Sequence, residues 1–170
     1  MFILTGSYSN RRSRLFWNAP KLVLGAMLLF AGGLTMEPVQ ASDTTKANVT
    51  VVQVASNSGA YQFVVTVSSP DRGCKQYADW WEVLTEDGKL IYRRVLLHSH
   101  VDEQPFTRSG GPVMIGADTV VWVRAHMHPG GYGGKATKGT AKSGFKEAPL
   151  SADFARGLEK QPPLPTECAF

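Results

Sequence analysis

The chain has 170 residues, a formal net charge of +4, 43% hydrophobic residues and two cysteines, which fits one domain with appendages and excludes a multidomain enzyme. The first 41 positions hold Arg11, Arg12, Arg14 and Lys21 against Glu37, and the rest of the chain keeps a net charge of only +1. So small a charge excludes the positive field of a nucleic-acid-binding protein.

The amino-terminal segment has the three parts of a secretory signal. A basic region ends at Lys21, an apolar region covers residues 22–34, and the small-x-small pattern Val-Gln-Ala stands at 39–41. The apolar region is shorter than the roughly 20 residues that span a bilayer. We therefore predict that residues 1–41 are a cleaved export signal and that the mature chain is periplasmic or extracellular, without a membrane span.

The amino-terminal segment is also consistent with three further roles. The Arg11-Arg12 pair resembles a twin-arginine signal, which exports folded proteins, although Arg14 stands where such signals carry an apolar residue. An uncleaved anchor and an organellar transit peptide stay open as well. Because no cysteine lies near the cleavage pattern, the sequence does not suggest lipoprotein attachment.

Residues 48–128 have the pattern of short strands separated by turns. Apolar side chains alternate with polar ones between Tyr61 and Ser68, which indicates a strand with one buried face. The Ser-Pro-Asp-Arg-Gly sequence at 69–73 predicts the turn that ends this strand. Further strands are predicted at 49–54, 78–85, 90–97, 112–115 and 119–127.

The order of these strands indicates the fold class. The Asp87-Gly88 pair between two strands is a strong hairpin signal, and strands about ten residues apart are typical of an antiparallel β-sandwich. The tryptophan-bearing third strand, the Asp-Gly hairpin and the late Val-x-Val-Arg-Ala strand resemble an immunoglobulin or fibronectin type III domain. The resemblance implies an all-β sandwich, which we predict to occupy residues 42–145.

The composition changes after the last predicted strand. A Gly-rich loop at 130–134 is followed by a polar stretch, and a short helix is predicted for 151–159 with Phe154 and Leu158 on one face. Residues 161–165 are proline-rich, which favours an extended conformation. We therefore predict a tail over residues 146–170.

Cys74 and Cys168 are the two cysteines of the chain. Both lie in the predicted exported part, where an oxidising compartment favours a disulfide. A thiolate metal ligand at either position is the alternative, but no Cys-x-x-Cys spacing supports it. We predict a Cys74–Cys168 disulfide that ties the tail back to the sandwich.

The four histidines form two His-x-His units, His98 with His100 and His126 with His128. Alternate side chains of a strand share a face, so each unit presents two imidazoles on one side. In the predicted sandwich, the strands that end at these units both flank the Trp80 strand and run parallel, so the units reach the same pole. Because imidazole suits copper and zinc, we predict a Cu or Zn site made by the four histidines.

Nearby residues refine this hypothesis. His126 and His128 share a strand face with Arg124, opposite the apolar face, so they are expected to point into solvent. Asp102 and Glu103 follow the first unit and are candidate oxygen ligands or hydrogen-bond acceptors for an imidazole. The simpler interpretation is that all of these are ordinary surface residues.

In two pairs of adjacent residues, the two side chains of each pair must point to opposite faces of their strand. One of Trp80 and Trp81 is therefore expected in the core, and the other is expected to be exposed and available to a partner. By the same argument, at least one of Arg93 and Arg94 is expected to be solvated.

These patterns support three function hypotheses. The first is a metal-binding module whose partner is the metal ion. The second is a metal-free structural or interaction domain of the cell envelope that contacts a protein or glycan through an exposed tryptophan and the Gly-rich loop. The third is a small metalloenzyme with an open metal site. The sequence lacks the nucleophile elbow, the phosphate loop, the dinucleotide fingerprint and the His-Glu-x-x-His motif, so it favours a protein that is not an enzyme.

Overall fold

A computed structural model of the chain describes residues 44–57 and 59–169, so the predicted export segment and its cleavage pattern lie outside the described residues. The described part consists of strands, turns and one short 3₁₀ helix at Leu158–Lys160. The strands are β1 (Asn48–Asn57), β2 (Ala60–Ser68), β3 (Tyr77–Thr85), β4 (Leu90–Val95), β5 (Phe106–Val113), β6 (Val121–His128), β7 (Ala136–Thr140) and β8 (Gly144–Ala148).

The strands form two antiparallel sheets, which confirms the predicted all-β sandwich. One sheet has the order β1-β2-β5 and the other has the order β4-β3-β6-β7-β8. The inward faces of the strands carry the apolar residues of the alternating patterns, and these residues form one core. Its members include Phe63, Val65, Val67, Trp81, Val83, Phe106, Val121, Val123 and Met127.

Strand β3 is buried on both of its faces. Trp81 and Val83 point into the core, whereas Trp80 and Glu82 lie on the outer face of the five-stranded sheet and are also buried. Trp80 is only 3% exposed, so the prediction of an exposed tryptophan in this pair is wrong. The Arg93 guanidinium and the rings of His126 and Tyr132 cover Trp80, and the tail binds Arg93 instead of extending into solvent.

The predicted Asp-Gly hairpin is confirmed between β3 and β4. The Gly88 N–H donates to the Thr85 carbonyl at 3.0 Å, and the Thr85 N–H donates to the Lys89 carbonyl at 2.9 Å. Gly88 has a φ of 86°, a conformation that side-chain-bearing residues adopt at a cost. The glycine therefore allows the tight connection.

Strand β5 begins earlier than the predicted strand at 112–115. Its Ser109-Gly110-Gly111 sequence has no apolar alternation, so the sequence carries no strand signal there. A Cβ atom on Gly110 would lie 2.8 Å from the Trp81 ring. The glycine is therefore needed for close packing between the two sheets, a role that depends on distant residues.

The segment after β6 also differs from the prediction. Strands β7 and β8 occupy the stretch interpreted as polar loop, and β8 extends past the predicted domain boundary at residue 145. The predicted helix at 151–159 is wrong, because Ala155 and Gly157 have φ values of 51° and 98°, which interrupt a right-handed helix. Across residues 44–57 and 59–169, no helix is long and apolar enough to cross a membrane.

Candidate functional site

The strands that precede the two histidine units run in the same direction, as predicted. Strand β3 pairs antiparallel with both β4 and β6, so β4 and β6 run parallel to each other. The two units nevertheless occupy different kinds of position. His126 and His128 are the end of β6, whereas β4 ends at Val95 and leaves His98 and His100 in the following loop. We call residues 97–104 the histidine loop.

The backbone of the histidine loop is fixed by buried polar contacts around His100. The His100 N–H donates to Asp71 Oδ2 at 2.8 Å, and Gln104 Nε2 donates to the His100 carbonyl at 2.9 Å. Asp71 also accepts the Ala78 N–H at 2.9 Å and the Ser69 hydroxyl at 2.7 Å. The carboxylate of Asp71 thus joins the histidine loop to the turn before β3.

The His100 ring lies in an apolar position. It is 3% exposed and stacks on Phe106, with ring centroids 3.7 Å apart and an angle of 9° between the planes. Within the described residues, neither ring nitrogen has a hydrogen-bond partner, and Asp71 Oδ2 is 3.8 Å from Nδ1. Unpaired polar atoms of this kind are rare in protein interiors.

The surroundings of His100 keep its ring neutral. Burial, followed by the positive charge of Arg108 and the proximity of His98, lowers the pKa of His100 to about 4. Arg108 is itself held by Glu103, with its Nη2 2.7 Å from Oε2. The imidazole of His100 therefore carries no charge at neutral pH.

The histidine loop surrounds an open pocket. His98 is exposed, and its ring centroid is 4.3 Å from that of His100. The pocket has a volume of about 430 Å³ and is lined by residues 98–103, which include the acidic side chains Asp102 and Glu103. The residues of the histidine loop thus lie around one concave surface, where His98 is exposed and the His100 side chain is fully buried.

The second histidine unit has different surroundings. His126 is 9% exposed, stacks on Trp80 at a centroid distance of 3.9 Å, and its Nδ1 lies 2.7 Å from Asp79 Oδ1. The prediction that His126 points into solvent is wrong, because Tyr132 and the tail lie over this face of β6. His128 is exposed, as predicted.

The structure does not bring the four predicted metal ligands together. In the part of the chain that it describes, no three His, Cys, Asp or Glu side chains are grouped so that they could hold one metal ion. His126 is turned towards Asp79 and Trp80, while His98 and His100 face each other on the histidine loop. The pair His98 and His100 is what remains of the predicted site.

A buried charged cluster on the outer face of the five-stranded sheet was missed by sequence reasoning. Glu82 accepts hydrogen bonds from Arg93 on β4 and from Arg124 on β6, with Oε2 2.6 Å from Arg93 Nη2 and Oε1 2.8 Å from Arg124 Nε. All three side chains are buried. Charged residues that alternate with apolar ones along a strand usually mark a face in solvent. The sequence pattern therefore did not predict that these three side chains are buried.

This cluster attaches the tail through main-chain carbonyls. Arg93 donates to the carbonyls of Leu158, Gln161 and Pro163 at 2.8, 2.5 and 3.1 Å. Arg124 donates to the carbonyl of Phe154 at 2.6 Å. Arg93 is therefore the buried member of the Arg93-Arg94 pair, and Arg94 is exposed as one of the two was expected to be.

The predicted disulfide is present. Cys74 and Cys168 are bonded, with their Cα atoms 5.6 Å apart and a separation of 94 residues in the sequence. Near the bond, the Ala169 N–H donates to the Leu97 carbonyl at 2.7 Å, and the Gly73 N–H donates to Ser99 Oγ at 3.1 Å. Both ends of the disulfide therefore border the histidine loop.

The burial of His100 predicts a pH-dependent stability. The folded ring binds its proton only near pH 4, whereas an unperturbed histidine does so near 6.5, so the unfolded chain binds more protons between these values. The stabilisation is complete above pH 6.5 and is lost as the pH falls to 4, a change of about 3 kcal/mol in the free energy of unfolding.

Urea unfolding at a series of pH values measures this change. The loss of stability between pH 6.5 and 4 should be about 3 kcal/mol smaller in His100→Gln than in the wild type. His128→Gln, a change on an exposed ring outside the histidine loop, is the matched control and should keep the wild-type pH profile. Identical pH profiles for His100→Gln and the wild type would contradict a lowered His100 pKa in the folded protein.

Similarity to known proteins is limited to sequence. A protein of Halomicrobium mukohataei described as "Putative lipoprotein" is 40% identical over 120 residues, which is 68% of this chain. The match spans 59% of that relative's own length. No family model and no solved structure matches the chain, so the immunoglobulin-like type of the sandwich stays a prediction.

Proposed function

We propose that this chain is a non-catalytic binding module of the cell envelope, and that the histidine loop binds a transition-metal ion through His98 and His100. The observation that carries the proposal is the His100 ring, which is buried without a hydrogen-bond partner for either nitrogen in the described chain, in a loop that lines an open pocket. The proposal keeps one of the two predicted histidine units and the predicted identity of the ion, copper or zinc.

The envelope location has two supports. The Halomicrobium relative is described as a lipoprotein, a class of protein that is exported. A disulfide between Cys74 and Cys168 is typical of proteins that function in oxidising compartments outside the cytosol. Because the relative is longer than the matched region, the proposal concerns this domain and not the whole of the relative.

The metal ion has support from the geometry of the histidine loop. Asp71 and Gln104 hold the loop from both sides, yet the imidazole that they position makes no hydrogen bond with the described chain. Neutral imidazole nitrogen is a common ligand of copper and zinc, at about 2.0–2.1 Å for zinc. Ring centroids 4.3 Å apart allow both histidines to contact one ion after small side-chain rotations.

The remaining coordination positions would be filled from the pocket. Water offers oxygen ligands there. The Glu103 carboxylate is held by Arg108, and the described residues supply no third protein ligand for the same ion. Two nitrogen ligands and exchangeable oxygen ligands favour reversible binding of the ion over permanent structural retention.

Calorimetric titration of the untagged protein with Zn²⁺ and with Cu²⁺ tests the proposal. We expect about one ion per chain and at least about tenfold weaker binding in His98→Gln and His100→Gln, because each variant removes one of two nitrogen ligands. His128→Gln, which changes an exposed histidine outside the loop, is the matched control and should bind as the wild type does. The proposal would be wrong if the wild type bound less than about 0.2 ions per chain, or if all three variants bound the ion with the affinity of the wild type.

A metal-free interaction domain also has a specific observation in its favour. Leu97 and Val101 are 48% and 41% exposed and flank His98, which is typical of a small contact surface for another protein. Contact through an exposed tryptophan, as predicted for such a domain, is not supplied by Trp80, because Arg93, His126 and Tyr132 cover it. A titration that detects no binding of Zn²⁺ or Cu²⁺ would favour the metal-free domain.

A further inference from the structure

The residues next to the two cysteines contact the histidine loop at two points. On one side, Gly73, the neighbour of Cys74, donates its N–H to Ser99 Oγ at 3.1 Å. On the other side, Ala169, the neighbour of Cys168, donates its N–H to the Leu97 carbonyl at 2.7 Å and forms a parallel bridge with His98. The loop segment from Leu97 to Ser99 is therefore held between the two halves of the disulfide.

The disulfide is the covalent anchor of the end of the tail. Arg93 binds tail carbonyls as far as Pro163, and Leu164, Thr166 and Glu167 beyond it are exposed. If the bond between Cys74 and Cys168 opened, the contact of Ala169 with Leu97 would depend on single hydrogen bonds at the end of an exposed segment. A single hydrogen bond makes only a small net contribution to stability, which is too little to keep such a segment in place.

We propose that Cys74–Cys168 is a redox-controlled site whose reduction loosens the histidine loop and weakens its binding of a metal ion. The effect on metal affinity rests on the proposed function, whereas the effect on the loop does not. Both cysteines are half-buried, so the bond lies near the surface, where a small thiol or the reactive thiol of another protein can approach it.

The co-reactant is an exported dithiol, and the reaction is ordinary thiol–disulfide exchange. One thiolate of the dithiol attacks a sulfur of the Cys74–Cys168 bond, which breaks and leaves a mixed disulfide and one cysteine thiolate. The second thiolate of the dithiol then displaces the other cysteine. Two electrons pass to the protein, each released cysteine thiolate takes up a proton, and the dithiol becomes a disulfide.

The loop would change first at the residues that border the disulfide. Without Ala169, the Leu97 carbonyl loses its hydrogen-bond donor and the His98 backbone loses its bridge partner. His98 then no longer has a fixed position relative to His100. The His100 N–H bond to Asp71 is the next contact along the loop. The buried strands β3 and β6 are held by their own ladders and should keep their structure.

Hydrogen exchange of the oxidised and the dithiothreitol-reduced protein tests the effect on the loop. At labelling times of seconds to minutes, we expect the amides of residues 97–104 to exchange at least about tenfold faster after reduction, since the loop then opens locally. The amides of β3 and β6 should stay protected over the same interval. Unchanged exchange in the loop would overturn the proposal, and so would simultaneous exchange of β3 and β6, which would mean that the bond acts on the whole fold.

The effect on affinity is measured with serine variants, because free thiols would themselves bind Zn²⁺. We expect Cys74→Ser/Cys168→Ser to bind Zn²⁺ at least about tenfold more weakly than the oxidised wild type. A chain that ends at Cys168 keeps the disulfide but loses the Ala169 contact, and its affinity should fall between the two. Equal affinity of the serine variant and the wild type would overturn the proposal.

The two experiments separate this proposal from the proposed function. If the oxidised wild type binds no metal ion, the proposed function fails, and the exchange of the loop amides still decides whether the disulfide controls the loop. If the oxidised wild type binds the ion and reduction changes neither exchange nor affinity, the proposed function stands and the redox control is wrong.

Discussion

Replacing Glu82 by alanine is expected to lower the free energy of unfolding by about 3–5 kcal/mol, since it leaves two buried guanidinium groups without their shared carboxylate. Arg93 and Arg124 both bind Glu82 at distances of 2.6 to 2.8 Å, and the Arg93 and Glu82 side chains are fully buried. Two uncompensated positive charges in this environment would either drive local unfolding of the tail or draw water into the cluster.

Urea unfolding of Glu82→Ala, compared with the wild type, measures this effect. The matched control is Glu86→Ala, which removes an exposed carboxylate from a surface ion pair with Lys138 and should cost less than about 1 kcal/mol. Near-ultraviolet circular dichroism adds a local readout, because Trp80 is stacked beneath Arg93 and should lose its fixed surroundings. If the two variants lost the same small stability, the cluster would not hold the tail in place.

Removing the disulfide by Cys74→Ser/Cys168→Ser is expected to lower the free energy of unfolding by about 4–5 kcal/mol, because the bond closes a loop of 94 residues in the unfolded chain. The constraint acts mainly on the unfolded state, so this loss should exceed what the few contacts near Cys168 contribute in the folded protein. Both cysteines are replaced together in order to avoid an unpaired thiol.

Unfolding midpoints in urea of the serine variant and of the wild type, with and without dithiothreitol, provide the measurement. The reduced wild type should match the serine variant, and dithiothreitol should leave the serine variant unchanged. A loss below about 1 kcal/mol would mean that the unfolded chain keeps the two cysteine regions close together without the bond.

The parts of the fold that could be predicted from the sequence are those whose signals are local. The alternation between Tyr61 and Ser68 predicts β2 because the side-chain period of a strand does not depend on distant residues. Asp87 and Gly88 predict the hairpin for a similar reason, since positive φ angles are a property of the turn itself. The disulfide could be predicted because the chain has just two cysteines.

The parts that could not be predicted depend on contacts far apart in the sequence. Trp80 is buried by Arg93, His126 and Tyr132. The arginines that bind Glu82 are covered by the tail, which lies at the other end of the domain sequence and binds through carbonyls that every residue possesses. Strand β5 carries Gly110, which makes sense only beside the Trp81 and Tyr92 rings. In such places, the residue types that usually mark a solvated face or a loop are buried by a distant segment.

The candidate site shows the same division. The pairing of the histidines and the parallel direction of β4 and β6 follow from the sequence pattern. The strand ends at Val95, however, and the chain then turns so that His100 stacks on Phe106 and His98 stays exposed. The position at which one strand ends thus decides whether the four imidazoles share one face or belong to two surroundings.

The attachment of the tail through its carbonyls has a consequence for how freely its sequence can change. Arg93 recognises the main chain at Gln161 and Pro163, and the side chains of Gln161, Pro162 and Pro163 are exposed. A guanidinium group that binds carbonyl oxygens does not distinguish one side chain from another. The tail is thus held by the arginines beneath it and by the path of its backbone, so a different side chain can be displayed at Gln161 without altering its attachment.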